Sequence, residues 1–134
     1  MTHTTLVDSS VLLDVIAPSG WRAWSEEHLA QAADAGAVAI NQVVYAEIAA
    51  GYSTQERLER ALGGVGVKRL NLPFTAAWRV AQAFSQYREA GGPRTVPLPD
   101  FFIGAHAAVA KLVLLTRDAS RVRTYFPEVE LIAP

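Results

Sequence analysis

Cysteine is absent from this sequence. Disulfides, thiolate nucleophiles and sulfur-ligated zinc are therefore excluded together. Histidine is scarce, and His3, His28 and His106 are too scattered for metal-ligand spacing, so any metal site must be built mainly from oxygen. A surplus of positive charge is also missing. The 12 Lys and Arg against 13 Asp and Glu leave a net charge of −1, which argues against a protein that coats nucleic acid wholesale but still allows one basic face. No apolar run approaches the roughly 18 residues that suggest a membrane span. The opening MTHTTLVD lacks the basic and long apolar regions of a signal peptide. The expectation is a soluble, cytoplasmic protein without membrane association. Repeats, low-complexity tracts and linkers are lacking too, and 134 residues, 51% of them hydrophobic, suit one domain over 1–134 with a sizeable core.

What is present alternates. Extended, mostly β-branched or aliphatic runs occur at Thr4–Val7, Ala37–Ile40, Val67–Leu70, Leu112–Leu115 and Val129–Ile132, with helical patterns between them. That order predicts an α/β fold on a parallel sheet. Helices are expected over Ser9–Ile16, Trp21–Asp34, Gln42–Tyr52 and Thr54–Leu62, the last ended by Gly63-Gly64. A further helix is expected from Pro73 to Ala90. Its spacing groups Phe74, Ala77, Trp78, Ala81, Phe84 and Arg88 on one face, and Phe74, Trp78 and Phe84 read as core. GGPRTVPLP reads as a loop, after which Asp100 opens DFFIGAHAAVA, a helix apolar nearly all round and therefore expected to be buried.

Four acids stand out against this frame. Ligands of an open parallel sheet gather outside the carboxyl ends of its strands. Asp8 follows the first strand and Asp118 follows LVLLTR, so both belong to that rim. Each also precedes a helical segment and suits an N-cap, which leaves capping open beside catalysis. The same ambiguity attends Asp100, whose helix face carries the small residues Gly104, Ala107 and Ala108. Capping does not explain Glu47. Within NQVVYAEIAAGY the angular count puts it between Val43 and Val44, inside the apolar stripe, where an ionised Glu is costly unless paired. A buried salt bridge, for instance to Arg117, is the structural alternative. Four acids on one rim would repel one another and raise their pKa values unless a cation neutralised them. A hard divalent ion suits an all-oxygen shell, and Thr116 and Ser10 can add hydroxyls to it.

These residues carry a resemblance. LVDSSVLLD near the start, YAEIAAG in the middle, LPDFFIGAHA late and LLTRDASRVRTYFPEVELIAP at the end follow one another as in the PIN-domain family. Within it the chain more closely resembles the VapC-type toxin ribonucleases of type II toxin-antitoxin systems. The resemblance covers nearly the whole chain. It implies a PIN-like three-layer sandwich, with a central parallel sheet of four to five strands flanked by helices. It also implies catalytic and metal-binding roles for Asp8, Glu47, Asp100 and Asp118 around Mg²⁺, or Mn²⁺, cleavage of RNA phosphodiester bonds by metal-activated water, a cognate antitoxin that blocks the site, and a homodimer. The segment Thr116-Arg117-Asp118 has no additional acid where some members carry one, so one ion and two remain alternatives.

Other residues suit RNA contact. Thr116, Ser10, Arg94 and Arg117 are candidates for substrate binding, the arginines through two-pronged phosphate contacts, whereas Arg121 and Arg123 read as solvated charge. Trp21 and Trp24 suit an antitoxin contact or a stacked base, with core packing expected for at least one. His106 falls beside Phe102 and Ile103, away from Asp100, and is rejected as a base. Two other readings keep the architecture: a PIN-fold nuclease of RNA processing or DNA cleavage rather than a toxin, and a Mg²⁺-binding signalling receiver. The receiver needs a phosphoacceptor Asp after a central strand, and the central GYSTQERLER contains none.

Overall fold

The computed structural model describes residues 3–134, so the first two residues of the MTHTTLVD opening lie outside the described chain. Five strands, β1 (His3–Val7), β2 (Gly36–Ile40), β3 (Lys68–Arg69), β4 (Val113–Leu115) and β5 (Leu131–Ile132), form one sheet in the order β3-β2-β1-β4-β5. Every pairing is parallel. Seven helices connect them: α1 (Ser9–Ile16), α2 (Arg22–Ala35), α3 (Gln42–Ala49), α4 (Gln55–Val65), α5 (Phe74–Glu89), α6 (Pro99–Ala110) and α7 (Ser120–Tyr125). The chain steps outward from β1 to β2 to β3, then returns to lay β4 on the other side of β1. Right-handed crossovers place helices of opposite steps on opposite faces. The packing agrees: α1 touches α2 and α3, and α3 touches α4, whereas α5, α6 and α7 touch one another, the two groups meeting where α3 contacts α6. The expected three-layer α/β sandwich with its central parallel sheet is what forms.

The sequence runs explain the layers. Leu6, Val7, Ala39, Ile40, Leu114 and Leu115 are all at most 1% exposed, as both faces of a central parallel strand require. β1 and β2 begin so close together that a Cβ on Gly36 would collide with the His3 carbonyl oxygen, which accounts for glycine at the start of β2. On α6, Gly104 serves the same purpose, because an added Cβ would stand 2.7 Å from the Phe126 ring. The small-residue face read from the sequence is thus filled by an aromatic ring, one member of a cluster with Phe84, Tyr87, Phe101 and Tyr125.

Two helix ends and one helix face differ from expectation. α3 stops at Ala49 rather than Tyr52, and α4 continues through Gly63-Gly64 to Val65. It ends where Gly66 takes a left-handed φ of 81°, the conformation glycine adopts without a side-chain penalty. On α5 the buried residues are Ala76, Val80, Ala83 and Tyr87, while Phe74 is 95% and Trp78 70% exposed. The aromatic spacing was helical, but the smaller residues face the core: α5 packs tightly against α6, and close approach of two helices favours small side chains. Only Phe84 of the three expected core aromatics packs against the core.

This assignment of faces predicts opposite responses on one helix. Phe74→Ser should change unfolding stability by no more than about 0.5 kcal/mol. Val80→Ala should cost about 2–3 kcal/mol from lost burial and the cavity left behind, measured by urea unfolding.

Candidate functional site

The ends of β1 and β4 are neighbours at the point where the connections reverse direction, the usual location of a ligand crevice in such sheets. Asp8 stands at the end of β1. Its Oδ1 accepts from the Ser9 N–H at 2.8 Å and so caps α1. Its Oδ2 accepts from the Ser10 hydroxyl at 3.0 Å and from the Thr116 hydroxyl at 2.7 Å. Capping and membership of the rim are therefore compatible, with one oxygen given to each. Thr116, at the end of β4 and 1% exposed, also accepts from the Asp118 N–H at 3.2 Å. Buried and bonded in this way, the threonine orients Asp8 instead of facing a substrate, and Ser10 bonds to the same carboxylate oxygen.

Glu47 corrects the sequence reading. The buried arc of α3 is Val44 and Ile48, and Glu47 lies outside it, exposed on the rim. The apolar stripe is narrower than the pattern implied, since Val43 packs at its edge and Ala46 faces solvent. Glu47 Oε1 accepts from the Ser9 hydroxyl at 3.0 Å. The alternative pairing with Arg117 does not form, because Arg117 Nε donates to Asp14 at 2.7 Å.

Asp100 sits in the first turn of α6 without capping it through a side-chain bond. Its Oδ2 accepts from Arg121 Nη1 at 3.0 Å, while its Oδ1 is buried without a partner. Arg121, read from the sequence as solvated charge, is thus a member of the rim, and its guanidinium lies 5.8 Å from the Phe101 ring centroid. The Asp118 carboxylate turns aside: Oδ1 accepts from the Ser120 hydroxyl at 3.0 Å.

The electrostatics follow from this layout. Although Glu47 is exposed, partial desolvation of its carboxyl against the rim pushes it above the usual range, and the charges of Asp8 and Asp100 push it further, against the Ser9 hydrogen bond. Burial likewise raises Asp100, aided by Asp8 and opposed by Arg121. Asp8, Glu47 and Asp100 therefore share one field. Among the described residues no group of three or more His, Asp or Glu side chains stands close enough together to hold a metal ion. Like charges keep apart, and each acid has turned to its nearest donor. The donor set still fits a hard cation: all its ligand atoms are oxygen, two of its carboxyls are raised by desolvation and by neighbouring negative charge, and Asp100 Oδ1 is an orphaned buried acceptor.

Beneath the rim lies a charge that the sequence reading missed. Asp14, 2% exposed, accepts from Ser19 Oγ at 2.6 Å, Ser25 Oγ at 2.7 Å and Arg117 Nε at 2.7 Å. Burial alone would raise this carboxyl, but those bonds and the arginine charge together hold it below the usual range. Arg117, expected at the substrate, thus ties the α1–α2 turn to the end of β4, with its guanidinium 5.5 Å from the Trp21 ring centroid. Asp14 was legible only as an acid within an apolar helix followed by Ser19 and Ser25. Arg94 remains exposed in the loop before α6, anchored through its backbone to Tyr87 and Arg88. His106 is 2% exposed and bonded through Nδ1 to Asn41 Nδ2 at 3.0 Å, and burial lowers its pKa.

This arrangement of rim and sheet has a known counterpart. The family model of the PIN domain matches residues 5–127, and the chain belongs to that family. PIN domains are nucleases, so the receiver reading falls. Among solved structures the chain is similar to VapBC2 from Rickettsia felis, bound to a DNA fragment from its promoter, with a TM-score of 0.76 at 15% identity over 98% of both chains. It is similar to DNA-bound VapBC from Salmonella typhimurium, with a TM-score of 0.72 at 19% identity over 99% of this chain and 98% of the other. FitAcB from Neisseria gonorrhoeae gives 0.65 at 21% identity over 96% of each. At such identities the likeness is one of fold. No curated protein matches the chain.

The two kinds of carboxyl predict opposite pH responses. Asp14, depressed in the fold, contributes stability that is complete above its unfolded value of roughly 4 and is lost as pH falls through its lower folded value. Glu47 and Asp100, both raised, cost stability as pH climbs from their ordinary values through their folded ones. In divalent-free buffer the melting temperature should therefore fall as pH rises through that upper window, and Glu47→Gln should flatten part of the slope. Arg117→Gln should cost roughly 2–3 kcal/mol in urea unfolding, less than a fully unpaired buried charge because the two serines remain.

Proposed function

We propose that this protein is a divalent-metal-dependent endoribonuclease of the VapC toxin type, held inactive by a cognate antitoxin. The observation that carries this reading is the meeting of Asp8, Glu47 and Asp100 in one electrostatic field at the crevice of a PIN fold, with an oxygen of Asp100 buried and unpartnered. The structural neighbours add support, since several are VapBC complexes and another is a toxin-antitoxin complex from Klebsiella pneumoniae.

Asp8, Glu47, Asp100 and Asp118 would hold Mg²⁺ or Mn²⁺. Bound there, such an ion lowers the pKa of water and stabilises the leaving oxygen of a phosphodiester. The protein's own groups do the rest. Thr116 and Ser10 fix the orientation of Asp8, and the Ser9 hydroxyl fixes Glu47 through Oε1. Glu47 Oε2 is left to take a proton from the attacking water, a task helped by a carboxyl held above its ordinary range. Arg94, on the loop leading to Asp100, supplies a phosphate contact that adds affinity without sequence choice. Arg121 can exchange Asp100 for a phosphate oxygen, to which its planar fork is equally matched.

The partners follow from the surface. Trp21 at 43% exposure, held beside Arg117, offers an aromatic contact for the antitoxin near the rim. Phe74 and Trp78, one helical turn apart on α5, offer a face for a second copy of the chain.

Asp8→Asn should abolish Mn²⁺-dependent cleavage of RNA while the melting curve remains cooperative. Thr116→Val, which leaves every acid in place but loosens Asp8, should reduce the rate by about 10–100-fold. Parallel assays on single-stranded RNA and DNA test the substrate; preferential cleavage of DNA, or full activity in Asp8→Asn, would refute the assignment.

A further inference from the structure

A cavity of about 330 Å³ opens at the carboxyl ends of β2 and β3, beside the start of α3. Tyr45, Gln42, Gln55, Arg69, Leu70 and Asn71 line it. Three features set it apart from an ordinary surface dent. First, its walls are fixed. The Tyr45 hydroxyl donates to Glu59 at 2.7 Å and accepts from Gln55 Nε2 at 3.1 Å, and the Arg69 guanidinium sits 5.2 Å from the Tyr45 ring centroid while pairing with Glu59 at 2.6 Å. Gln42 clamps the floor, its Oε1 accepting from the Leu72 N–H at 2.8 Å and its Nε2 donating to Asn71 Oδ1 at 3.1 Å.

Second, the clamped amides that line the cavity keep unused hydrogen-bonding capacity. Asn71 has its Oδ1 engaged and retains its Nδ2 donor, and Gln55 has its Nε2 engaged and retains its Oε1 acceptor. An aromatic ring, a guanidinium plane and a donor beside an acceptor are the features by which proteins recognise unstacked bases. Third, the cavity neighbours the acid rim through a shared lining residue. Gln42 also lines a second cavity with Ala46, Glu47, Pro97, Pro99 and Phe102, so the two open onto adjacent arcs of α3, separated by about one helix width, roughly 10 Å.

We infer that this cavity is a nucleobase subsite, holding an unpaired base of the RNA strand whose phosphate lies at the acid rim. The inference rests on the nuclease reading and extends it: the acids cut, and Tyr45, Gln55, Arg69 and Asn71 contribute to which sequence is cut. The base would lie against the Tyr45–Arg69 wall with its polar edge toward Asn71 and Gln55.

The test separates the subsite from the chemistry. Adenosine, guanosine, cytidine and uridine 5′-monophosphates are titrated in turn into the wild-type protein without divalent ions, following the side-chain amide signals of Gln42, Gln55 and Asn71 by ¹⁵N NMR. Saturable shifts of those amides, stronger for one or two of the bases, are expected, and Asn71→Ala or Gln55→Ala should weaken the preferred nucleotide about tenfold. Both positions are exposed, so the variants should fold, and the spectrum itself reports this. Single-stranded RNAs made abasic at successive positions around the cut should then lose cleavage rate at one position, a loss that Asn71→Ala no longer shows. Saturable amide shifts in a protein that cuts no RNA would leave the subsite standing and overturn the nuclease reading. Efficient RNA cleavage with no shift of these amides, or equal shifts with all four nucleotides and with inorganic phosphate, would overturn the subsite alone.

Discussion

The hydrogen bond from Thr116 to Asp8 fastens the ends of the two strands between which the topology reverses. Two further bonds join the same ends, from the Asp8 N–H to the Leu115 carbonyl at 2.9 Å and from the Arg117 N–H to Ser10 Oγ at 3.3 Å. Asp8 sits at the mouth of the crevice because its other oxygen starts α1, and Thr116 is buried because β4 is covered on both faces. Around this pair the remaining acids are arranged by repulsion as much as by attachment. Glu47 leans on Ser9, Asp100 on Arg121 and Asp118 on Ser120, each taking the nearest donor on its own or an adjacent element. A rim of this kind is electrostatically expensive, and the fold offsets the expense one layer below, where Asp14 is fully paired and Arg117 anchors the turn between α1 and α2.

That division explains why the sequence was readable in some places and opaque in others. Nearly every element was visible as a run or a period, because central parallel strands buried on both faces and helices packed on one face leave those marks; β3, both of whose residues are exposed, showed only through its flanking Val67 and Leu70. What depends on one local angle was not. α4 passes through Gly63-Gly64 because the left-handed turn is made at Gly66, and a pair of glycines in sequence does not tell which of its neighbours will turn. On α5 the spacing pointed Phe74 and Trp78 to the core, but the buried face carries Ala76, Val80 and Ala83, with Tyr87 set edge-to-face against Phe101 of α6.

The candidate site shows the same limit. Asp8, Glu47, Asp100 and Asp118 were visible as acids at strand ends or in apolar company, and the resemblance singled out the same four. Which oxygen of each is engaged, and by what, was not visible. Ser9, Ser120 and Arg121 are ordinary surface residues by composition and become members of the rim only through contacts made across the fold or within one tight turn. Arg117 looked like a phosphate ligand because it adjoins Asp118, yet successive residues leaving a strand point opposite ways, and it turns inward to Asp14.

Both border strands of the sheet, β3 and β5, are only two residues long. A sheet with such short margins offers almost no ladder of unpaired amides and carbonyls onto which another polypeptide can add a strand. Whatever associates with this molecule must therefore recognise side chains presented by helices and loops, so that a few substitutions on α2 or α5 can redirect its company without disturbing the sheet at all.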